Sequence, residues 1–340
     1  MQLYPSLITD ALATVRYPGN GKNLIEANMV EDDIRIDGDS VSFTLIFDKP
    51  TDPFMRSLVK AAEAAIHTHI SPDVKVTVKT ASRQPAAPKA APILPGVKNI
   101  VGISSGKGGV GKSTVAANLA VALAREGYKV GLLDADIFGP SMPKMFGIED
   151  EQLYLREADG RNLIIPVERY GVKILSIGFL VDRDKAVMWR GSMASNALKQ
   201  LITDADWGEL DYFLIDMPPG TSDIHLTLVQ TLAMTGIVVV TTPQEVALAD
   251  ARKGIAMFMD EKINVPILGL VENMAYFVCP NCNEKHYLFG ESQVDVLAQE
   301  YEIGATAQIP TNPTIAALCD AGKVDQVDSS WLDDIVAAIV

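Results

Sequence analysis

The segment that most constrains the fold runs from Gly106 to Thr114 and reads GKGGVGKST. It matches the pattern G-x-x-x-x-G-K-[ST], and it lies between an apolar strand-like run and a helical pattern, as that motif requires. Glycines let backbone N–H groups wrap closely around phosphates, and the helix that begins near Gly111 adds its positive end. The segment therefore predicts a phosphate-binding loop rather than an ordinary glycine-rich turn.

Two lysines of this loop are predicted to have different roles. Lys112 is expected to reach the β- and γ-phosphates, and Ser113 is expected to bind Mg²⁺. Lys107 is not required by the basic pattern, and its charge is costly beside Lys112 unless phosphates neutralise both. It is either a residue that reaches across a two-fold interface to a partner's nucleotide or a solvated loop lysine. The expected nucleotide contacts are Gly106, Lys107, Gly108, Gly109, Val110, Gly111, Lys112, Ser113 and Thr114.

Carboxylates at the ends of two apolar runs are expected to complete a nucleotide site. Asp134 and Asp136 follow one run, and Asp216 ends another. Asp216 would hold the Mg²⁺ shell, Asp136 would orient an attacking water, and the segment 218–220 would begin a switch loop. The alternative for each aspartate is a helix N-cap or loop carboxylate.

The rest of the C-terminal part alternates apolar runs with helical patterns, which predicts an α/β, doubly wound, mostly parallel sheet. Several runs are continuously apolar, as strands buried on both faces are. The expected strands are residues 100–104, 130–134, 172–177, 212–216, 237–241, 267–271 and 305–309.

An Ala/Pro-rich stretch without apolar period divides the chain. We expect a small N-terminal α+β domain over residues 1–80, a linker over 81–96 and the nucleotide-binding domain over 97–340. In the first domain, alternation predicts strands at 41–47 and 74–78, and helical spacing predicts a helix over 54–70.

The composition of the chain limits the classes of partner that it is expected to bind. There are 29 Lys and Arg against 43 Asp and Glu, a formal net charge of −14, which argues against binding to nucleic acid or an anionic membrane. The start of the chain, 1–10, has no basic or long apolar region, and the apolar stretch 226–242 suits a helix followed by a buried strand better than a membrane span. We expect a cytoplasmic protein.

Two of the three cysteines, Cys279 and Cys282, form a C-x-x-C pair that allows two thiolates to face one metal centre. Two ligands are half of a tetrahedral site, so a two-fold axis bringing two pairs together would suit a [4Fe–4S] cluster or zinc. A redox or purely structural pair is the remaining alternative. His286 is a possible third ligand, and Cys319 is interpreted as a buried apolar residue.

Several segments together resemble a known family. Residues 105–114 look like the deviant Walker A motif of the MinD/ParA-like class of dimeric ATPases. Within that class, residues 134–141, 216–223, 241–248 and 272–277 resemble the Mrp/ApbC family of iron–sulfur cluster carrier P-loop ATPases. Trp189-Arg190-Gly191 also matches a family segment, without an assigned role.

The resemblance implies a homodimer that binds ATP and Mg²⁺, with a [4Fe–4S] cluster bridged by Cys279 and Cys282 of both subunits. It implies that Lys107 acts in trans, that Asn273 contacts adenine, and that the partners are cluster assembly factors and apo iron–sulfur proteins. ATP hydrolysis would be slow and coupled to transfer. The alternatives are a MinD/ParA-like positioning ATPase, or the same ATPase with a structural zinc at the cysteine pair.

The N-terminal domain more weakly resembles the MIP18-like iron–sulfur assembly domain. Tyr17-Pro18 stands where Asp-Pro is usual, and no cysteine lies near Thr51-Asp52-Pro53. We therefore expect docking or regulation from this domain rather than cluster binding.

Overall fold

The computed structural model describes residues 3–18, 21–31, 33–38, 40–47, 54–72, 74–82, 93–137, 139–158, 160–180 and 191–340. The chain divides into two compact units, Met1–Ala91 and Pro92–Val340. The sequence interpretations that concern residues 51–53, most of the linker and Trp189-Arg190 lie outside the described residues.

The N-terminal unit is a three-stranded sheet with two helices. Its elements are α1 (Pro5–Leu12), β1 (Arg35–Asp37), β2 (Ser40–Phe47), α2 (Met55–His69) and β3 (Lys75–Ser82). Strand β2 is central, with β1 antiparallel and β3 parallel to it. Phe43 and Leu45 of β2 are buried against Ile66 of α2 in this unit's own core, so the predicted α+β domain is confirmed.

The second unit contains twenty α-helices and β-strands among its described residues. In chain order they are β4 (Val97–Ser104), α3 (Lys112–Arg125), β5 (Val130–Asp134), α4 (Met142–Met145), β6 (Tyr154–Ala158), β7 (Arg161–Ile165), β8 (Val167–Arg169), β9 (Val172–Ser176), α5 (Gly191–Thr203), β10 (Leu210–Asp216), α6 (Asp223–Thr231), β11 (Gly236–Thr241), α7 (Glu245–Met259), β12 (Ile267–Glu272), β13 (Phe277–Val278), β14 (Lys285–His286), α8 (Val294–Glu300), β15 (Thr306–Gln308), α9 (Pro313–Asp320) and α10 (Asp333–Ile339).

Eight of these strands form one sheet in the order β15-β12-β11-β4-β10-β5-β9-β8. All neighbouring pairs are parallel except β8–β9, which is antiparallel. Each expected strand of the second unit is present, with ends that differ by a few residues. The predicted doubly wound, mostly parallel α/β fold is therefore confirmed.

Continuous apolar strands arise because both faces of the sheet are covered. Successive residues of a strand point to opposite faces. In β10, Leu214 joins the core cluster that contains α3 and α10, while Phe213 and Ile215 join the cluster that contains α5, α6 and α7. Successive positions therefore meet different helical layers, which is why the run 213–215 is apolar on both faces of the sheet.

Two features differ from the sequence interpretation, and a third agrees with it. The hairpins β6–β7 and β13–β14 and the edge strand β8 were not expected, because they are short and carry charged residues such as Arg156 and Lys285. After the cysteine pair, the sequence pattern predicts a helix that begins near Gly290, but α8 begins at Val294. The apolar stretch 226–242 forms the end of α6 and strand β11, and no described helix has the length and apolar character to cross a bilayer.

Candidate functional site

The glycine-rich loop lies at the carboxyl edge of the sheet. It connects β4 to α3, and β4 pairs with β10 so that Ile103 lies beside Asp216. On the other side of β10, Asp216 lies beside Asp134 of β5. The register therefore places the loop and both strand-ending aspartates together, at the edge where open α/β sheets bind ligands.

Two loop glycines have backbone conformations that L side chains rarely adopt. The φ of Gly109 is +82° and that of Gly111 is +86°. At Gly111 an added Cβ would lie 2.1 Å from Nδ2 of Asn273. The Asn273 amide occupies that space because it donates a hydrogen bond of 2.9 Å to the carbonyl of Val110. Glycine at 111 is thus required both by backbone conformation and by this close approach.

Lys112 is buried at the centre of the site. Its Nζ lies 2.6 Å from Oδ1 of Asp216 and 3.5 Å from Oδ2 of Asp136, and it donates a 3.4 Å hydrogen bond to the hydroxyl of Ser113. The lysine side chain is only 5% exposed and the Asp216 side chain is 0% exposed. The ammonium that phosphates would contact is therefore paired with carboxylates.

The surroundings of Asp216 fit a divalent cation. Burial raises the pKa of Asp216, against the opposing effects of the Lys112 charge and hydrogen bonds from Lys112 and Ser113. Among the described residues, its buried Oδ2 has no hydrogen-bond partner. An unpaired carboxylate oxygen beside a serine hydroxyl supplies the hard oxygen donors that Mg²⁺ prefers. Ser113 and Asp216 thus offer oxygen donors to a divalent cation, and their binding of Mg²⁺ stays a prediction.

Asp134 supports the segment that carries Asp136. Its Oδ2 accepts hydrogen bonds from the backbone N–H groups of Ser141 and Met142 and from the hydroxyl of Ser176. Its Oδ1 accepts one from the backbone N–H of Asp136. Burial, followed by the nearby charge of Asp216, raises the pKa of Asp134 to about 7. With its oxygens so engaged, Asp134 shapes the loop, whereas Asp136 joins Asp216 as a carboxylate partner of Lys112.

Sequence reasoning missed a buried histidine near this site. His225 is 0% exposed, and its Nδ1 accepts a 3.2 Å hydrogen bond from the backbone N–H of Ser222 at the start of α6. Burial lowers the pKa of His225 to about 4. No motif marked it, since its position is recognisable only once α6 is seen to begin directly after the 217–222 loop.

A cavity of about 260 Å³ opens beside the loop. Its walls include Gly111, Thr114 and Asn273 on one side and the segment 309–316 on the other. The cavity therefore lies next to the first turn of α3, where a nucleoside attached to loop-bound phosphates would extend. Asn273, which is expected to contact adenine, lies on the cavity wall. No sequence motif marked the 309–316 segment as part of a nucleotide site.

The remaining loop residues are placed at the surface or against neighbouring backbone. Lys107, Gly108 and Gly109 are exposed, and the Lys107 carbonyl accepts a hydrogen bond from the hydroxyl of Ser105. Gly106 packs so closely on α7 that an added Cβ would lie 2.3 Å from the backbone of Asp250. Lys107 is thus exposed whereas Lys112 is buried, and a role of Lys107 at a partner's nucleotide stays a prediction.

The cysteine pair lies in the β13–β14 hairpin. Cys279 is partly exposed and Cys282 is exposed. Hydrogen bonds from the backbone N–H groups of Asn281 and Cys282 lower the pKa of the Cys279 thiol, which favours the thiolate needed to bind a metal. The sulfurs of Cys279 and Cys282 and a ring nitrogen of His286 all lie within 4.8 Å of one another. Cys319 is buried, as expected.

Family models match both units. Residues 96–340 match the ParA model described as NUBPL iron-transfer P-loop NTPase. Residues 6–79 match the model described as iron–sulfur cluster assembly protein.

Curated relatives extend these matches. An iron–sulfur cluster carrier protein of Synechocystis is 43% identical over 312 residues, which cover 89% of this chain and 87% of the relative. Another of Aquifex aeolicus is 51% identical over 231 residues, covering 68% of this chain but only 62% of the relative's length. This chain thus spans less than two thirds of the Aquifex protein.

Among solved structures, a nucleotide-binding protein of Archaeoglobus fulgidus, described in complex with ADP and with cobalt, is 42% identical. The match has a TM-score of 0.62 and covers 71% of this chain and 93% of the other. With its phosphate loop, parallel sheet and matching relatives, this chain belongs to the ParA-type NUBPL iron-transfer P-loop NTPase family and carries an iron–sulfur cluster assembly domain before the NTPase domain.

Proposed function

We propose that the protein is an ATP-dependent iron–sulfur cluster carrier. It binds a [4Fe–4S] cluster across a homodimer, hydrolyses ATP slowly and transfers the cluster to cytoplasmic apoproteins. The observation that carries the proposal is the presence, in one unit, of a phosphate loop and an accessible cysteine pair that supplies only two thiolates. The names of the Synechocystis and Aquifex relatives support the same function.

The nucleotide part of the proposal rests on Lys112 and its neighbours. Phosphates entering the loop would replace Asp216 and Asp136 as partners of the Lys112 ammonium. Bound Mg²⁺, held through Ser113 and Asp216, would neutralise charge on the β- and γ-phosphates. Asp136 would orient the attacking water, and the exposed Lys107 would reach the partner's nucleotide. Asn273 would contact the base from the wall of the 260 Å³ cavity.

The cluster is the cargo of this carrier. Each chain supplies Cys279 and Cys282, so two chains related by a two-fold axis supply the four thiolates that a [4Fe–4S] cluster requires. ATP then acts as a differential ligand: it favours one arrangement of the two chains over another, and thereby changes how accessible the cluster is to an acceptor.

Anaerobic reconstitution with iron and sulfide tests the cargo. We expect about four irons and four acid-labile sulfides per two chains, with absorbance near 400 nm. Replacing both Cys279 and Cys282 by alanine should abolish the cluster, whereas Cys319→Ala, the matched change at a buried thiol, should leave it intact. A cluster retained by the double variant contradicts the proposal.

The other two functions give different results in the same preparations. One zinc per two chains and no acid-labile sulfide, in protein purified without oxygen, would indicate a structural metal site. ATP-dependent sedimentation with anionic vesicles, or retention on DNA at physiological salt, would indicate a positioning ATPase.

A further inference from the structure

The β13–β14 hairpin places a histidine where two cysteines alone would leave a metal site half formed. The two sulfurs and the His286 ring nitrogen lie within 4.8 Å of one another in a single chain. In a tetrahedral site with metal–sulfur bonds of about 2.3 Å, ligand atoms are separated by roughly 3.5–3.8 Å. Side-chain rotations that move the ligand atoms by little more than about 1 Å would therefore bring all three within bonding distance of one ion.

Backbone pairing explains why these side chains meet. His286 lies opposite Phe277 in the antiparallel hairpin, and the pairing continues as the backbone N–H of Cys279 donates to the carbonyl of Glu284. Because side chains alternate along a strand, Cys279, two residues after Phe277, lies on the same face as His286. The turn closes when the Asn283 N–H donates to the Cys279 carbonyl, which returns the chain toward the two sulfurs.

The lysine of this hairpin, Lys285, lies on the face opposite to Cys279 and His286. Lys285 is opposite Val278 in the pairing, and its Nζ lies 4.0 Å from the centre of the Tyr276 ring. This cation–π contact holds the ammonium on the face away from Cys279 and His286. The face that carries the three ligands therefore keeps its sulfur and nitrogen donors without a lysine charge between them.

We propose that His286 is a third metal ligand, so that one chain alone binds a single divalent transition-metal ion through Cys279, Cys282 and His286. The inference rests on the proposed function in that it uses the same two cysteines. Two thiolates and an imidazole suit zinc, cobalt(II) or iron(II), not magnesium or calcium. Binding releases the two thiol protons to solvent, the imidazole binds in its neutral form, and a water or an acceptor's side chain completes the tetrahedron.

A mononuclear site changes the expected stoichiometry. Four cysteines from two chains bind one ion or one cluster per dimer, whereas the Cys279–Cys282–His286 site binds one ion per chain. The carrier can then hold metal before two chains meet, and the histidine is displaced when the second pair of thiolates arrives.

Cobalt(II) titration of the full, reduced, metal-free chain without oxygen tests the proposal, because tetrahedral thiolate-bound cobalt absorbs in the visible and near-ultraviolet. We expect one cobalt per chain for the parent. His286→Ala should bind cobalt at least about tenfold more weakly, corresponding to about 1.4 kcal/mol. His286→Cys should restore affinity and add thiolate-to-cobalt charge-transfer intensity. His69→Ala, which removes an exposed histidine of α2, is the matched control and should behave as the parent.

X-ray absorption of the zinc-loaded parent should show two sulfurs and one imidazole per zinc, and His286→Ala should lose the imidazole signal. Unchanged affinity and spectrum in His286→Ala, or one cobalt per two chains with four sulfurs, overturns this inference while leaving cluster binding intact. Conversely, a His286-dependent cobalt site in a protein that never holds iron and sulfide overturns the cluster proposal alone.

Discussion

At the scale of single residues, we expect the paired charge of Lys112 to decide whether nucleotide binds. Its ammonium is 2.6 Å from Asp216 and almost fully buried. If the Lys112 ammonium were removed, bound phosphates would lie near the carboxylates of Asp216 and Asp136 without this positive charge. We expect Lys112→Ala to weaken ATP binding at least about a hundredfold, about 2.7 kcal/mol, by isothermal titration calorimetry.

The matched change is Lys107→Ala in the same loop. Because the Lys107 side chain is exposed and contributes only its backbone carbonyl to loop structure, this variant should bind ATP as the parent does. Its hydrolysis rate should fall if the lysine acts in trans. Equal weakening of binding by both changes would remove the distinction between the two lysines.

His225 should make the NTPase unit sensitive to acid. Its folded-state pKa of about 4 lies below the 6.5 of an unperturbed histidine. Between these values the unfolded chain binds a proton that the folded one does not, so stability falls as pH decreases from 6.5 to 4. The full effect is about 3 kcal/mol.

Urea unfolding at pH 7.5 and pH 5 measures this loss of stability. Tryptophan fluorescence reports the unfolding of the NTPase unit, because all three tryptophans belong to Pro92–Val340. His225→Gln keeps an acceptor for the Ser222 N–H but has no titrating group. It should lose less stability than the parent between the two pH values; an identical loss would exclude His225 as the cause.

At the scale of elements, the β4–α3 loop depends on Gly111. Alanine there would combine a φ of +86° with a Cβ 2.1 Å from the Asn273 amide. The hydrogen bond from Asn273 to Val110 would break, and the loop would lose its nucleotide-binding shape. We expect Gly111→Ala to reduce ATP affinity at least about tenfold.

Gly254→Ala is the control for this change. Gly254 lies inside α7, and an added Cβ would meet nothing within 4 Å. That variant should keep ATP affinity and be slightly more stable, since alanine is the better helix former. Normal affinity in Gly111→Ala would mean that the loop reshapes without the Asn273 contact.

Some strands, hairpins and contacts could be predicted from the sequence, and others could not. Strands such as β10 were predictable because burial on both faces leaves an unbroken apolar run. The hairpin β13–β14 was not, since four strand residues that include Lys285 and His286 carry no periodic signal. The phosphate loop was recognisable from local spacing. The pairing of Asp134 with Ser176 and the burial of His225 depend on residues far apart in sequence, so only the fold reveals them.

At the scale of the whole molecule, the two units are independently packed. The N-terminal unit has its own core around Phe43, and every described contact of the phosphate loop reported above belongs to Pro92–Val340. We expect a protein of residues 92–340 alone to fold and to bind ATP within about twofold of the full chain's affinity. Calorimetry of both proteins measures this; a large loss of affinity would assign the N-terminal unit a part in the nucleotide site.

The segment that carries the cysteines is fastened at both ends to the same strand terminus. Asn273, just after β12, contacts the phosphate loop, and Glu272 accepts a hydrogen bond from the backbone N–H of Gln293, where the segment returns. The cysteine-bearing hairpin is thus anchored at its base and exposed to solvent at its tip. Under the proposed function, a cluster would be transferred at this exposed tip without opening the core, so the fold would stay intact through repeated transfers.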